Sequence, residues 1–317
     1  MGSLASNRKY WYIISILLLL PGVVALILFR LNLGIDFTGG TIWELEFEEP
    51  VTTEQVRAVL AESGFTETVV QLSSSDDLQN NVAIIRMEEL GQLSGEKTEL
   101  EVALRDQIGS FQELQISTVG SSVSSEISEK AIIAVAVASI GILLYIAFAF
   151  RNTQNPALYG ICAIIAMLHD VLLVIGVFAI LGKFAGVQVD ALFVTAILTV
   201  IGFSVHDSIV VFDRIRENLA SQVESSFENV VNYSLAQTVV RSVNTSLTVV
   251  FTLLALYLFG GESTRNFVLA LLIGIIAGTY SSIFNASQLL VSWEMGDFHR
   301  AWNRIRRSET ESSPATT

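Results

Sequence analysis

Four ionisable residues interrupt apolar stretches of this 317-residue sequence: His169, Asp170, Asp207 and Arg241. A charged side chain at the centre of a bilayer span costs at least about 2.5–3.5 kcal/mol, so each needs a partner, a wet niche or a changed protonation state. A carboxyl group and a guanidinium offer one such chemistry. Burial favours the neutral acid and the guanidinium favours the carboxylate, so a site balanced between them can exchange a proton. Arginine keeps its own charge and can only bias or gate the acid. Asp207 and Arg241 are therefore the predicted proton relay. Asp207 lies in "IGFSVHDSIVVFDRIREN", Ile201 to Asn218, with Ser204 and Ser208 at i−3 and i+1. Arg241 belongs to Gln237, Thr238, Arg241, Asn244, Thr245 and Thr248, whose three- and four-residue steps read as one polar helix stripe. Ser204, Ser208, Asn244 and Thr245 are the predicted supporting polar groups. Counted from Asp190 and from Phe259 at 1.5 Å per residue, the acid and the guanidinium both fall roughly 26–27 Å deep on consecutive antiparallel spans. A buried salt bridge that merely pins two helices is the structural alternative.

His169 and Asp170, together with His206, are secondary intramembrane candidates. His169 and Asp170 sit midway along a span, where "LHDVLLV" echoes "VHDSIVV". Hydrogen bonding across helices, or lining a water cavity, is the simpler reading for both. His206 adjoins Asp207 in sequence but points about 100° away round the helix. No Cys/His cluster, glycine-rich phosphate loop or nucleophile elbow is present, so no enzymatic activity, metal or cofactor is expected. The single cysteine, Cys162, can form no internal disulfide.

These residues must be placed by helices in a membrane. The sequence is 51% hydrophobic and 15% charged, with a mean hydropathy of +0.57, against about 25% charged in an average soluble domain. A span needs about 20 mostly apolar residues. Six stretches qualify: 10–29, 131–150, 157–181, 191–212, 235–259 and 267–293. The first is too long for a signal peptide's apolar core and lacks a cleavage site. Lys and Arg in short loops set orientation. Arg8, Lys9, Arg151, Arg214, Arg216, Arg300, Arg304, Arg306 and Arg307 fall on one side, and Lys183 and Arg265 on the other. Both termini, 1–9 and 294–317, are thus expected in the cytoplasm, the latter a basic segment followed by a disordered tail. The charged run after the fourth span reads as a helix along the cytoplasmic surface. Gly274-x-x-x-Gly278 in the last span reads as close helix packing.

The segment 30–130 is different. Of the net charge of −13, residues 31–130 carry −14, from 19 acidic and 5 basic residues. Nucleic acid and anionic lipid are poor partners for such a surface. Its periodicities run β-α-β-β-α-β, the ferredoxin-like split βαβ order, with Thr52 and Gln55 placed as a capping box. The fold class is therefore an α-helical polytopic membrane protein of six spans with an inserted α+β, ferredoxin-like external domain. "GIDFTGGTI" joins the first span to it. Gly34, Gly39 and Gly40 read either as a turn feeding the first strand or as a hinge that lets the domain swing.

"GIDFTGGT", "GFSVHDSIVVFDRIREN", "QTVVRSVNTSLTV" and "GTYSSIFNASQLL", in that order from span one to span six, resemble the SecF family. Its members are the small subunits of the bacterial SecD–SecF protein-export complex, in the RND superfamily. The pattern departs from the resemblance at His206, where asparagine is expected. The resemblance implies an accessory subunit of the Sec protein translocase in the bacterial plasma membrane that uses the proton motive force to promote preprotein export. A SecD subunit, a SecYEG-type translocon, translocating preproteins and membrane lipid would be its partners. It also implies that Asp207 carries the proton and Arg241 is its basic partner. A stand-alone RND-like proton-coupled exporter of a small or lipidic substrate, and a scaffold that transduces nothing, are the competing readings.

Overall fold

A computed structural model describes residues 4–66, 68–75, 78–90, 95–151, 153, 155–297 and 300. The tail expectation, with Arg304, Arg306 and Arg307, lies outside the described residues. The chain divides into two compact units, Leu33–Ile133 and the remainder.

The smaller unit follows the order read from the sequence: α2 (Ile35–Thr38), β1 (Gly40–Phe47), α3 (Thr53–Glu62), β2 (Val69–Ser75), β3 (Leu78–Met87), α4 (Glu96–Gln107) and β4 (Phe111–Val119), preceded in the chain by α1 (Arg8–Phe29). The four strands form one antiparallel sheet in the order β2-β3-β1-β4, the ferredoxin-like arrangement. Strand alternation decides which face is buried. Trp43, Leu45 and Phe47 of β1 and Ala83, Ile85 and Met87 of β3 join Val56, Val59 and Leu60 of α3 and Leu100 and Leu104 of α4 in one core. The capping box at Thr52 forms in both directions: its side chain accepts from the Gln55 amide, and Gln55 Oε1 accepts from the Thr52 amide at 2.9 Å. Glu113 on β4 accepts from the Trp43 indole at 2.8 Å and from Lys97 Nζ at 2.7 Å.

Gly39 and Gly40 have φ of 72° and 116°, and a Cβ on Gly40 would stand 2.6 Å from the Met87 carbonyl oxygen. Gly40 pairs with Val119 in the sheet. These two glycines are therefore locked into the sheet's first turn, which corrects the hinge reading for them. Gly34 has an ordinary φ of −78° and precedes α2.

In the larger unit, α5 (Ser121–Ala149) starts in the smaller unit and is followed by α6 (Pro156–Ala185), α7 (Ala191–Ala220), α8 (Phe227–Phe259), α9 (Glu262–Ser281), a π-helical turn (Ser282–Ala286) and α10 (Ser287–Glu294). Among the described residues, six helices, the last running through the π turn, are long and apolar enough to cross a membrane. The run after the fourth span is not a separate surface helix. No glycine or proline interrupts Phe203 to Ser226, and ion pairs at i,i+3 join Arg216 to Asp213 and Arg214 to Glu217, both at 2.5 Å. The helix therefore continues to Ala220, and α8 starts after a six-residue connection. Two glycine contacts set the packing. A Cβ on Gly22 of α1 would come within 2.9 Å of Gly176 of α6. On α9, a Cβ on Gly274 would stand 2.1 Å from Val200 Cγ2 of α7, and one on Gly278 would stand 3.2 Å from Ser204 Cβ. The Gly-x-x-x-Gly reading thus lands on the α7–α9 contact.

Candidate functional site

The inward face of α7 carries Ser204, Asp207, Ser208 and Val211, at helical spacing. Asp207 is only 3% exposed, and its Oδ2 has no hydrogen-bond partner among the described residues. The same holds for the buried hydroxyls of Ser208 and of Ser242 on α8. Native interiors seldom leave such groups unmatched. These three polar atoms lie on the inward faces of α7 and α8.

Arg241 is not the missing partner within this chain. It lies on the exposed side of α8, as do Asn244 and Thr245, and among the described residues no ion pair joins it to Asp207. Helix phase explains the correction. The buried residues of α8 include Ser234, Thr238, Ser242 and Ser246, four-residue steps that form an inward row of hydroxyls. At about 100° per residue, Thr238 falls within roughly 40° of Ser242, whereas Arg241 and Thr248 fall roughly 100–120° away. The six-residue stripe therefore splits, with Thr238 inside and the rest outside. Thr245 Oγ1 donates to the Arg241 carbonyl at 2.9 Å, and Gln237 Oε1 accepts from Arg214 Nε at 2.6 Å and from Asn218 Nδ2 at 3.0 Å. The inward serine row was available in the sequence as Ser-x-x-x-Thr-x-x-x-Ser-x-x-x-Ser; the more polar neighbouring stripe drew the reading away from it.

His169 and Asp170 are more tightly integrated than their secondary rank implied. Asp170 is fully buried; its Oδ1 lies 2.9 Å from His169 Nδ1, and its Oδ2 accepts from Ser204 Oγ at 2.6 Å. Ser281 stands beside the same carboxylate, donating to the Ala166 carbonyl at 3.3 Å and accepting from Asn285 Nδ2 at 3.4 Å. Asn285 Oδ1 accepts from Ser15 Oγ of α1 at 2.6 Å. The bonded chain crosses four elements: α7, α6, the α9 end with its π turn, and α1. A π turn places one extra residue in the coil and often marks a functional segment; here it carries Asn285 into the chain. No short-range signal in the sequence marks such a turn. His206 is exposed on α7.

Six membrane-length helices, an inserted ferredoxin-like unit and a buried carboxylate among unsatisfied hydroxyls define a multi-pass membrane protein built round a polar centre. Comparison with known families then identifies it. Residues 99–296 match the family of protein export membrane proteins SecD/SecF, C-terminal, and residues 24–51 match the SecD/SecF GG motif. The protein translocase subunit SecF of Thermobaculum terrenum is 57% identical over 96% of this chain and 97% of that relative. Its counterpart in Anaerolinea thermophila is 41% identical over 96% and 98%. The chain belongs to the SecF family of protein translocase subunits. Among solved structures, SecDF from Thermus thermophilus, titled a translocon-associated membrane protein, matches 92% of this chain at 34% identity with a TM-score of 0.78. This chain covers 38% of that longer protein, and likewise 38% of the Bacillus subtilis subunit SecDF, at 37% identity.

Proposed function

We propose that this chain is the SecF half of a SecD–SecF unit that uses the proton motive force to promote preprotein export beside a SecYEG-type translocon. The observation that carries the reading is Asp207: a carboxyl group buried in a spanning helix with an oxygen that nothing on the chain satisfies. Such a group toggles between an ionised and a neutral form as its surroundings change. Arg241 supports a two-part site. An arginine on the open side of a spanning helix is costly against hydrocarbon, so that side of α8, with Asn244 and Thr245, is covered by a companion subunit. The longer SecDF relatives hold both halves in one chain, of which this one corresponds to about two-fifths. Arg241 then biases the relay at the joint between halves instead of pairing with Asp207 across α7 and α8. Preproteins and lipid complete the partners.

Orientation follows from charge. Arg8, Lys9, Arg151, Arg214, Arg216 and Arg300 mark the cytoplasmic side, and the acidic unit lies outside the bacterial plasma membrane. Gly34, next to the boundary between the two units, is the pivot for its movement. The test is export of a secretory protein in membrane vesicles carrying the SecD–SecF complex and an imposed proton gradient. Asp207→Asn is expected to abolish the gradient-dependent component. Arg241→Met is expected to lower it at least about tenfold, the scale of losing a group that tunes a proton-transfer site. Equal gradient-dependent export in all three proteins, at equal amounts of complex, overturns the relay.

A further inference from the structure

His169 and Asp170 have no role in that reading, yet they are the most completely buried ionic pair described in the membrane-spanning unit. Asp170 is 0% and His169 8% exposed. Among the described residues, His169 is the one ionic partner of Asp170. Tyr12 of α1 lines a crevice with His169; Tyr280 lies on α9, Asp207 on α7 and Cys162 on α6 itself. The lysines and arginines of these helices, Arg8, Lys9, Lys183, Arg214, Arg216 and Arg265, stand near the helix ends, and among the described residues none pairs with the carboxylate.

The hydrogen bonds define what the pair can do. An ionised carboxylate only accepts, so the hydrogen between Asp170 and His169 then sits on Nδ1. Nε2 is left with a lone pair. That atom is buried and has no partner on this chain, which makes it a base awaiting a proton. The imidazole ring also borders a crevice of about 410 Å³ between α1, α6 and the segment from the π turn into α10, lined mostly by isoleucine and leucine side chains, with Tyr12, Ser15 and Asn285 as its other polar members. On the other side, Asp170 Oδ2 holds Ser204 of α7 at 2.6 Å, three residues before Asp207.

We propose that His169 and Asp170 form a second proton-binding pair of the membrane-spanning unit, loaded from the crevice beside α1 and felt on α7 through Ser204. The step is balanced. A hydronium ion that enters by the crevice gives its proton to Nε2 and leaves as water, and the hydrogen on Nδ1 passes to Asp170 Oδ1. The imidazole ends neutral with its hydrogen on Nε2, and the carboxyl group ends neutral. One proton has been taken up and no other bond changes. The neutral acid is a weaker acceptor for Ser204, because hydrogen bonds to ionised groups are roughly twice as strong as neutral ones. The contact of α6 with α7 therefore depends on the proton. Release runs the steps backwards. This pair is separate from Asp207, and its principal test does not depend on the Asp207 relay.

The chain has three histidines, His169, His206 and His299, so selective ¹⁵N-histidine labelling of the full chain with its SecD partner, reconstituted in liposomes, gives three imidazoles to follow. His206→Gln and His299→Gln assign the other two without touching the pair. Solid-state NMR is expected to show magnetisation transfer from water to the His169 ring, and a His169 ¹⁵N shift that changes with pH between about 4.5 and 9.5. A His169 ring with no water contact, or one unchanged over that range, overturns the proposal, and this measurement needs no variant of the pair itself. In the same liposomes, Asp170→Asn and His169→Gln are expected to lower gradient-driven proton uptake at least about threefold and to displace its pH profile. Unchanged uptake and profile in both variants overturn the proposal while leaving Asp207 standing. If Asp207→Asn leaves uptake intact, the Asp207 reading falls, and the NMR result still decides the pair.

Discussion

At the scale of single residues, the sharpest distinction is between glycines that look alike in sequence. Gly39 and Gly40 sit at positive φ, and the space a Gly40 side chain would need is filled by the Met87 carbonyl oxygen at 2.6 Å. Gly34 has neither constraint. Gly40→Ala should therefore destabilise the smaller unit by about 2 kcal/mol or more, from backbone strain plus the clash. Gly34→Ala should cost less than about 0.5 kcal/mol. Hydrogen–deuterium exchange on peptides from β1 and β3 reads this directly, because 2 kcal/mol of lost protection is about a thirtyfold faster exchange. Equal exchange in the two variants would mean that the Gly40 turn carries no strain. The sequence showed the three glycines and the two possible uses; only the backbone angles separate them. The same limit applied to Arg241. Its depth could be counted from the span boundaries, but the side of α8 it occupies depends on helix phase relative to Ser242, which a stripe drawn through the most polar residues misplaces.

At the scale of elements, the order of strands, helices and spans was legible because each rests on a local period: two for β1, and runs of twenty apolar residues for the spans. The π turn and the joined α7 were not, because both are set by tertiary partners and by helix continuity beyond the apolar run. The α7–α9 contact makes a test of packing. Gly274→Ala puts a methyl group about 2.1 Å from Val200 Cγ2, so α9 must shift. Val200→Ala opens a void at the same place. The double variant should recover part of both losses, with a coupling of about 1–2 kcal/mol in a double-mutant cycle on the reconstituted chain; strict additivity would show that the glycine does not set the approach. In the smaller unit, the Lys97 ammonium holds the Glu113 carboxyl below its usual range, with help from the Trp43 indole, and Glu113 in turn holds Lys97 above its own. Glu113 therefore contributes stability above its unfolded pKa of about 4.3, and loses it as pH falls through the lower folded value. Lys97 contributes fully below about 10.4, and loses its share as pH rises through the higher folded value. Both side chains are about a third or more exposed, so the effect stays below about 1 kcal/mol. Urea titrations followed by Trp43 fluorescence, in a chain with its other three tryptophans changed to phenylalanine, should show Glu113→Gln flattening the acid limb and lowering the urea midpoint at neutral pH by the same small amount.

At the scale of the whole molecule, charge distribution should decide which unit faces which compartment. All of the net negative charge lies in residues 31–130, while Arg151, between α5 and α6, and Arg214 and Arg216, in the last turns of α7, lie at one end of the spans. That arginine bias resists translocation, whereas acidic residues contribute little to orientation. The acidic unit is therefore predicted to be carried outward by default, and the Ser221–Ser226 connection between α7 and α8 to stay inside. The chain's own thiol, Cys162, is buried, so a single introduced cysteine reports its side of the membrane cleanly. In intact cells, Ser63→Cys, just after α3, should react with a membrane-impermeant maleimide. Gln222→Cys, between α7 and α8, should react only after permeabilisation. The discriminating variant replaces Arg151, Arg214 and Arg216 with glutamine, which removes the local bias while leaving the acidic unit untouched. If loop arginines set the topology, part of this population should now label at Gln222→Cys in intact cells. If the labelling pattern does not move, orientation is held by the first span and the packed bundle instead, and the arginines serve the ion pairs along α7. Full labelling of Gln222→Cys in intact cells, with the arginines in place, would invert the molecule and put the acidic unit in the cytoplasm, where it could not act on chains emerging outside.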